Sequence, residues 1–222
     1  MACASRPKIV QGKTRSEWVT RLKSPDQNTR IEAAYTLGAY FGPDAAAEIV
    51  PLLKENGAGT RSAAAFALGM CGNSSSVVIG SLEKLLKDED EIARIDAALA
   101  ISQLECPKGC ADRMLPELIL GLRNPRRTVM IASWLRKVGP KAASAVPALT
   151  KALSSTDVDT RLNVPLALAC VGKAAEPALP RLRELQTTDS VPAVRKNAED
   201  SIRAIETGMQ VGRGEPSLAW CR

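Results

Sequence analysis

The chain has 222 residues, 30 Lys and Arg against 24 Asp and Glu, 45% apolar residues, 3% aromatic residues and no histidine. Without histidine, Ser-His-Asp and Cys-His catalysis and mixed Cys/His zinc sites are excluded, and an excess of six positive charges means solubility as readily as nucleic-acid binding. No apolar run approaches the roughly 20 residues that span a bilayer, and Met1–Gln11 lacks the apolar centre of a signal peptide, so a cytoplasmic location is expected, although a leader removed ahead of Met1 would leave no trace.

In chain order, residues 1–12 carry no helical period and are expected to form a flexible lead-in. The first helix opens at Ser16-Glu-Trp-Val, capped by Thr14 or Ser16, with Trp18, Val19 and Leu22 on one face. Trp18 is placed to cover the open end of a stack, whose terminal repeat has no outer neighbour. After Ser24-Pro25-Asp26 the second helix runs to about Phe41, ended by Gly42-Pro43. It contains Arg30, the small pair Ala33 and Ala34, then Leu37 and Gly38.

That spelling returns five times. It restarts at Arg61, Arg94, Thr128, Arg161 and Arg195, at intervals of 31, 33, 34, 33 and 34 residues. A fixed period in this range marks stacked helical repeats. First helices are predicted near 46–55, 77–87, 113–123, 143–153 and 176–186, each followed by a second helix carrying the spelling. Pro51, Pro116, Pro147 and Pro180 recur in the first helices, where a proline lies in the first turn or bends the helix. Gly72, Gly139 and Gly172 fall at helix ends that call for positive φ. The alanine pairs let helices approach closely, and Leu37, Leu68, Ile101, Leu135, Leu168 and Ile202 form one apolar column.

The paired alanines, Leu37-Gly38, Leu68-Gly69 and Val146-Pro-Ala-Leu149 resemble a HEAT-repeat protein of the short, bilin-lyase-like type over about residues 13–206. The resemblance implies an all-α, right-handed α-solenoid of about six helical hairpins in a single domain, with second helices lining the concave side; residues 207–222, with three glycines and a proline, lose the helical pattern and read as a tail. Such repeats serve as scaffolds, adaptors, bilin-attachment factors, hydroxylases and DNA-repair proteins. The hydroxylases hold iron with His-Glu pairs, which this chain cannot supply. No cofactor and no metal are expected.

The recurring arginine is read as a structural ladder. Arg30, Arg94 and Arg161 each follow an acid by four residues (Asp26, Asp90, Asp157), a spacing that pairs them on one helix face. The six cysteines read mostly as small buried hydrophobes or free thiols. Cys106 and Cys110, the one close pair, form a loop thiol pair, a redox switch or, least favoured, a metal site. Leu218 and Trp220 fold back over the last hairpin, lie in a disordered tail or dock elsewhere.

The fourth repeat breaks the pattern. Between Arg113 and Ser155 stand eight basic residues and one acid, Glu117. The usual Arg is Thr128, Leu-Gly becomes Leu135-Arg136, and Trp134 replaces Thr36, Ala67, Ala100, Ala167 and Ser201. An inner repeat that departs from local consistency is where a functional demand is expected. Positions two, five, six and nine after the repeat Arg are expected to face outward, giving Met130, Ser133, Trp134 and Lys137 here, and Tyr35, Phe66, Leu99 and Leu166 at position five elsewhere. The expected partner-binding set on the concave face is Arg126, Arg127, Met130, Trp134, Lys137, Tyr35, Phe66 and Leu99, suited to an acidic peptide, a protein surface or a nucleic-acid backbone. The alternative is that Trp134 fills a gap against the next repeat and the arginines are solvated. The function expected is a non-catalytic scaffold for a protein or peptide. The alternatives are a nucleic-acid-binding or repair protein of the HEAT-like DNA glycosylase type, with Asp96 or Asp200 as its acid, and a bilin-lyase-type attachment factor. Oligomeric state and partner identity are not encoded in any of these motifs.

Overall fold

In the computed structural model, which describes residues 9–104 and 110–208, regular structure begins ahead of the first helix. Strand β1 (Ile9–Val10) pairs antiparallel with β2 (Lys13–Thr14) around Gln11-Gly12, both at positive φ, as a two-residue hairpin turn requires. The end of the expected lead-in is therefore a hairpin, and its role is to seat Trp18. The indole Nε1 donates to the Val10 carbonyl at 3.1 Å, and Lys13 and Arg21 lie over the ring at 5.3 and 5.2 Å. Trp18 is fully buried.

Two units, residues 1–117 and 118–222, make up the chain. In the first, α1 (Arg15–Arg21) starts at a capping box between Thr14 and Glu17. Helix α2 (Gln27–Thr36) passes into a π turn (Leu37–Phe41). The next first helix is broken into a 3₁₀ turn (Gly42–Ala45), α3 (Ala46–Ile49) and a second 3₁₀ turn (Val50–Lys54) around Pro51, since proline lacks the N–H that a continuous helix would use. Then come α4 (Ala58–Cys71), α5 (Ser76–Leu85), α6 (Glu91–Gln103) and α7 (Cys110–Gly121), which carries Pro116 internally and of which residues 110–117 belong to this unit.

The second unit contains α8 (Pro125–Val138), α9 (Val146–Ala152), α10 (Val158–Val171), α11 (Leu179–Thr188) and α12 (Pro192–Thr207), with 3₁₀ turns at Gly139–Ala145 and Gly172–Ala178. In each unit, apolar residues three and four apart on the second helices form the core. Leu37, Leu68 and Ile101 are buried in the first unit, and Leu135, Leu168 and Ile202 in the second. Each such side chain contributes about 1.5–3 kcal/mol of apolar burial.

The arginine ladder is structural, with different partners from those its spacing suggests. Asp26, Asp90 and Asp157 accept from the backbone N–H groups of Thr29, Ala93 and Thr160 and so cap their helices. Hydrogen bonds from Thr29 and Thr160 hold Asp26 and Asp157 below the usual carboxylate range. The arginines instead reach the loop behind them and, in most cases, an acid further along the chain. Arg61 Nη1 donates to the carbonyls of Glu55 and Asn56 at 2.9 and 3.0 Å, while Nε and Nη2 grip Asp88 at 2.8 and 2.7 Å. Arg161 likewise binds the Ser155 and Thr156 carbonyls and Asp189, and Arg94 pairs with Glu117. Thr128 replaces the arginine by donating its hydroxyl to the Leu122 and Asn124 carbonyls.

One rung has a gap that makes a prediction. Thr29 and Thr160 donate their hydroxyls to the capping aspartates at 2.6 Å, but the cap of α4 is Gly57 and the buried Thr60 hydroxyl has no partner among the described residues. Gly57→Asp would place a carboxylate there. The backbone, at φ −80° and ψ 115°, suits an N-cap, and the nearest obstacle is the flexible tip of Gln27 at 3.2 Å. A gain of about 1 kcal/mol is expected, read as a rise in urea midpoint.

Candidate functional site

Helix α8 carries most of the expected surface. Asn124 Oδ1 accepts from the Arg126 N–H at 3.1 Å and fixes the helix start. From there Arg126, Met130, Ser133 and Lys137 recur at spacings of four, three and four, one stripe along a helix. Arg126, Ser133 and Lys137 are exposed, and Met130, Arg127 and Trp134 are half-buried. Arg136 and Lys137 occupy the last turn, where positive charge complements the helix dipole. Burial pushes the Arg136 pKa below its ordinary value. From Leu118 to Thr156 there are seven basic residues and no acid. The stripe therefore presents positive charge around a methionine, with no carboxylate on its own stretch of chain to offset it.

Position six departs from expectation. Thr36, Ala67, Ala100, Ala167 and Ser201 are all buried. In the first unit this is the contact line between second helices: a Cβ on Gly38 would lie 2.4 Å from the Ala67 carbonyl oxygen, and one on Gly69 would lie 2.9 Å from Ala100 Cα. Trp134, half-buried, thus takes a packing position, which favours the gap-filling reading of this residue.

In the first unit, Tyr35 and Phe66 meet edge to face with ring centroids 5.8 Å apart, and Tyr35 is 39% exposed. Leu99, expected in the same row, is 1% exposed. That row ends at Phe66, because α6 turns its position five into the core. Tyr40 is half-exposed and was not anticipated. It lies on the π turn, whose wider winding carries it off the 3.6-residue period. The two acids considered for base-excision chemistry are engaged: Asp96, 2% exposed, accepts from Ser62 Oγ at 2.5 Å, and Asp200 accepts from Lys196 Nζ at 2.9 Å.

Cys71 is a buried thiol, and Cys170 is disulfide-bonded. Cys106, the Cys110 side chain, Leu218 and Trp220 lie outside the described residues. Among the described residues no cluster of Cys, Asp or Glu could hold a metal ion, and no helix is long and apolar enough to cross a membrane.

A family model for HEAT repeats matches residues 16–112 and 113–203. No curated protein matches significantly. Among solved structures, the chain is similar to an engineered protein from a structural genomics consortium (TM-score 0.63, 22% identity, 88% of this chain and 98% of that one). It is also similar to a designed armadillo repeat protein in complex with a (KR)4 peptide (TM-score 0.60, 18% identity, 85% and 98%). A third is the complex of CpcE and CpcF of phycocyanin lyase from a Nostoc species (TM-score 0.53, 20% identity, 92% and 82%). Identities this low speak for a common fold, an all-α solenoid.

Proposed function

The chain belongs to the HEAT-repeat family, and from that premise we propose that it is a non-catalytic interaction scaffold that holds an acidic segment of a partner protein on the second-helix face of α8. The observation that carries this reading is the stripe of Arg126, Met130, Ser133 and Lys137 within a 118–156 segment that lacks any acid. Exposed cations flanking a half-buried apolar residue recognise a carboxylate-rich peptide by charge and anchor it by burial. The designed armadillo neighbour is in complex with a basic peptide; the charge on α8 asks for the opposite. Tyr35 and Phe66 offer a second, apolar contact surface within the first unit.

The same absence of acids supports a second reading, a nucleic-acid backbone as the polyanion. Titration with an acidic peptide, duplex DNA and single-stranded DNA at low and moderate salt separates the two, with tryptophan fluorescence as the signal. Peptide binding is expected, weakened about tenfold or more by Arg126→Glu with Lys137→Glu. Failure of every acidic peptide to bind, together with DNA affinity that falls steeply with salt, would replace the protein partner by nucleic acid.

A further inference from the structure

A cavity of about 530 Å³ opens in the first unit beside Arg30, with Val19, Leu22, Pro51 and Leu52 as its apolar wall. Its origin is a fault in the arginine ladder. Arg30 Nη1 donates to the Ser24 and Pro25 carbonyls at 2.8 and 3.1 Å, as Nη1 of Arg61 and Arg161 does to their own loops. The opposite edge differs. Where Asp88 and Asp189 sit six residues before the next repeat arginine, Arg30 meets Glu55, one methylene longer. Asp88 and Asp189 are held within the fork, but the Glu55 carboxylate touches only Nη2, at 3.4 Å, and its side chain is 38% exposed. Arg30 Nε is buried without a hydrogen-bond partner among the described residues. On the same cavity, Glu48 is already paired with Arg15 at 2.5 Å.

We propose that this cavity binds the carboxyl-terminal residue of a peptide with an apolar side chain. Displacement of the loosely held Glu55 uncovers the buried Nε edge of Arg30, which fits a carboxylate bidentately, and the wall of Leu22, Pro51 and Leu52 fits the side chain of the same residue. A buried donor left unmatched costs free energy that such a ligand returns. Glu55, loosely held, is the group that gives way, and Lys23 lends further positive charge at the rim. A volume of this size falls within the range of small-ligand sites.

The test uses the full chain, with calorimetry and amide NMR against three probes: Ala-Ala-Ala-Leu with a free carboxyl terminus, the same peptide amidated, and N-acetyl-leucine. The free peptide is expected to bind saturably and the amide about tenfold more weakly. Glu55→Asp should close the fork as Asp88 does, weakening the peptide about tenfold while raising thermal stability; Glu55→Ala should tighten it. N-acetyl-leucine as tight as the peptide would assign the cavity to small N-acyl amino acids, and tighter peptide binding would assign it to chain termini. Equal binding of the amidated peptide, affinity unchanged in Glu55→Asp, or no binding by any probe would overturn the proposal. The site is independent of α8, so Arg126→Glu with Lys137→Glu should leave it untouched.

Discussion

Arg61→Met is expected to destabilise the chain by about 3–5 kcal/mol, because it strips a buried carboxylate of its counter-charge. The side chains of Arg61 and Asp88 are only 9% and 11% exposed, so little solvent is available to take over. Methionine also abandons the Glu55 and Asn56 carbonyls. If the cost lies mainly in the orphaned acid, Arg61→Met with Asp88→Leu should recover much of it. Recovery will be partial, since Asp88 Oδ1 also accepts from the Asp90 N–H at 2.9 Å. Urea unfolding of the two singles and the double yields the coupling.

The pH dependence gives this prediction a sign. The Arg61 hydrogen bond holds Asp88 below the usual carboxylate range, and Asp88 in turn raises Arg61. A carboxylate with a lowered folded-state pKa contributes stability that is complete above its unfolded value, about pH 4, and is lost as pH falls through the lower folded value. The Arg61→Met penalty should therefore be greatest near neutrality and shrink below about pH 4, where the abandoned Asp88 takes up a proton. A penalty as large at pH 3 as at pH 7 would place the cost in packing and the loop carbonyls. Arg161 and Asp189 are shifted in the same directions by the same kind of bond, so a second rung tests the rule.

The fold was legible because period and spelling coincide: the helix starts, the alanine pairs and the leucine column all follow from spacing alone. The partners were not. An aspartate four residues before an arginine satisfies two physical demands, an ion pair and a helix cap, and the cap prevailed at Asp26, Asp90 and Asp157 because unmet N–H groups at a helix start have few other partners. The arginine was then left to an acid distant in sequence, which no local rule identifies. For the candidate surface, position five is open at Tyr35, half-buried at Phe66 and closed at Leu99, and position six proved to be a packing line. A period fixes which residues share a face, but the rotation of each helix against its neighbours decides how far that face opens. The small residues at position six carried the missing signal: Ala67, Ala100, Ala167 and Ser201 are small because another helix lies against them.

Gly38→Ala should be the most damaging single-methyl change in the first unit. The added Cβ would stand 2.4 Å from the Ala67 carbonyl oxygen and 3.0 Å from its carbon, and both belong to the backbone of α4, which cannot rotate away as a side chain can. The two second helices must separate, at a cost of about 2–3 kcal/mol, lowering the melting temperature by about 5–10 °C. Gly80→Ala is the matched control. Gly80 stands within α5 with nothing within 4 Å of its would-be Cβ, so the same methyl group should stabilise by about 0.5–1 kcal/mol through helix propensity. Opposite signs for one chemical change isolate close approach as the cause. The consequence reaches the surface, because Gly38 lies between Tyr35 and Tyr40 and opposite the helix that carries Phe66. Separation of α2 from α4 would part the 5.8 Å ring contact, so Gly38→Ala should lose any ligand that depends on Tyr35 and Phe66 before it loses one that depends on α8. Retention of the wild-type melting temperature in Gly38→Ala would mean that the helices have slack at this contact, and that the alanine spelling is set by something other than their approach.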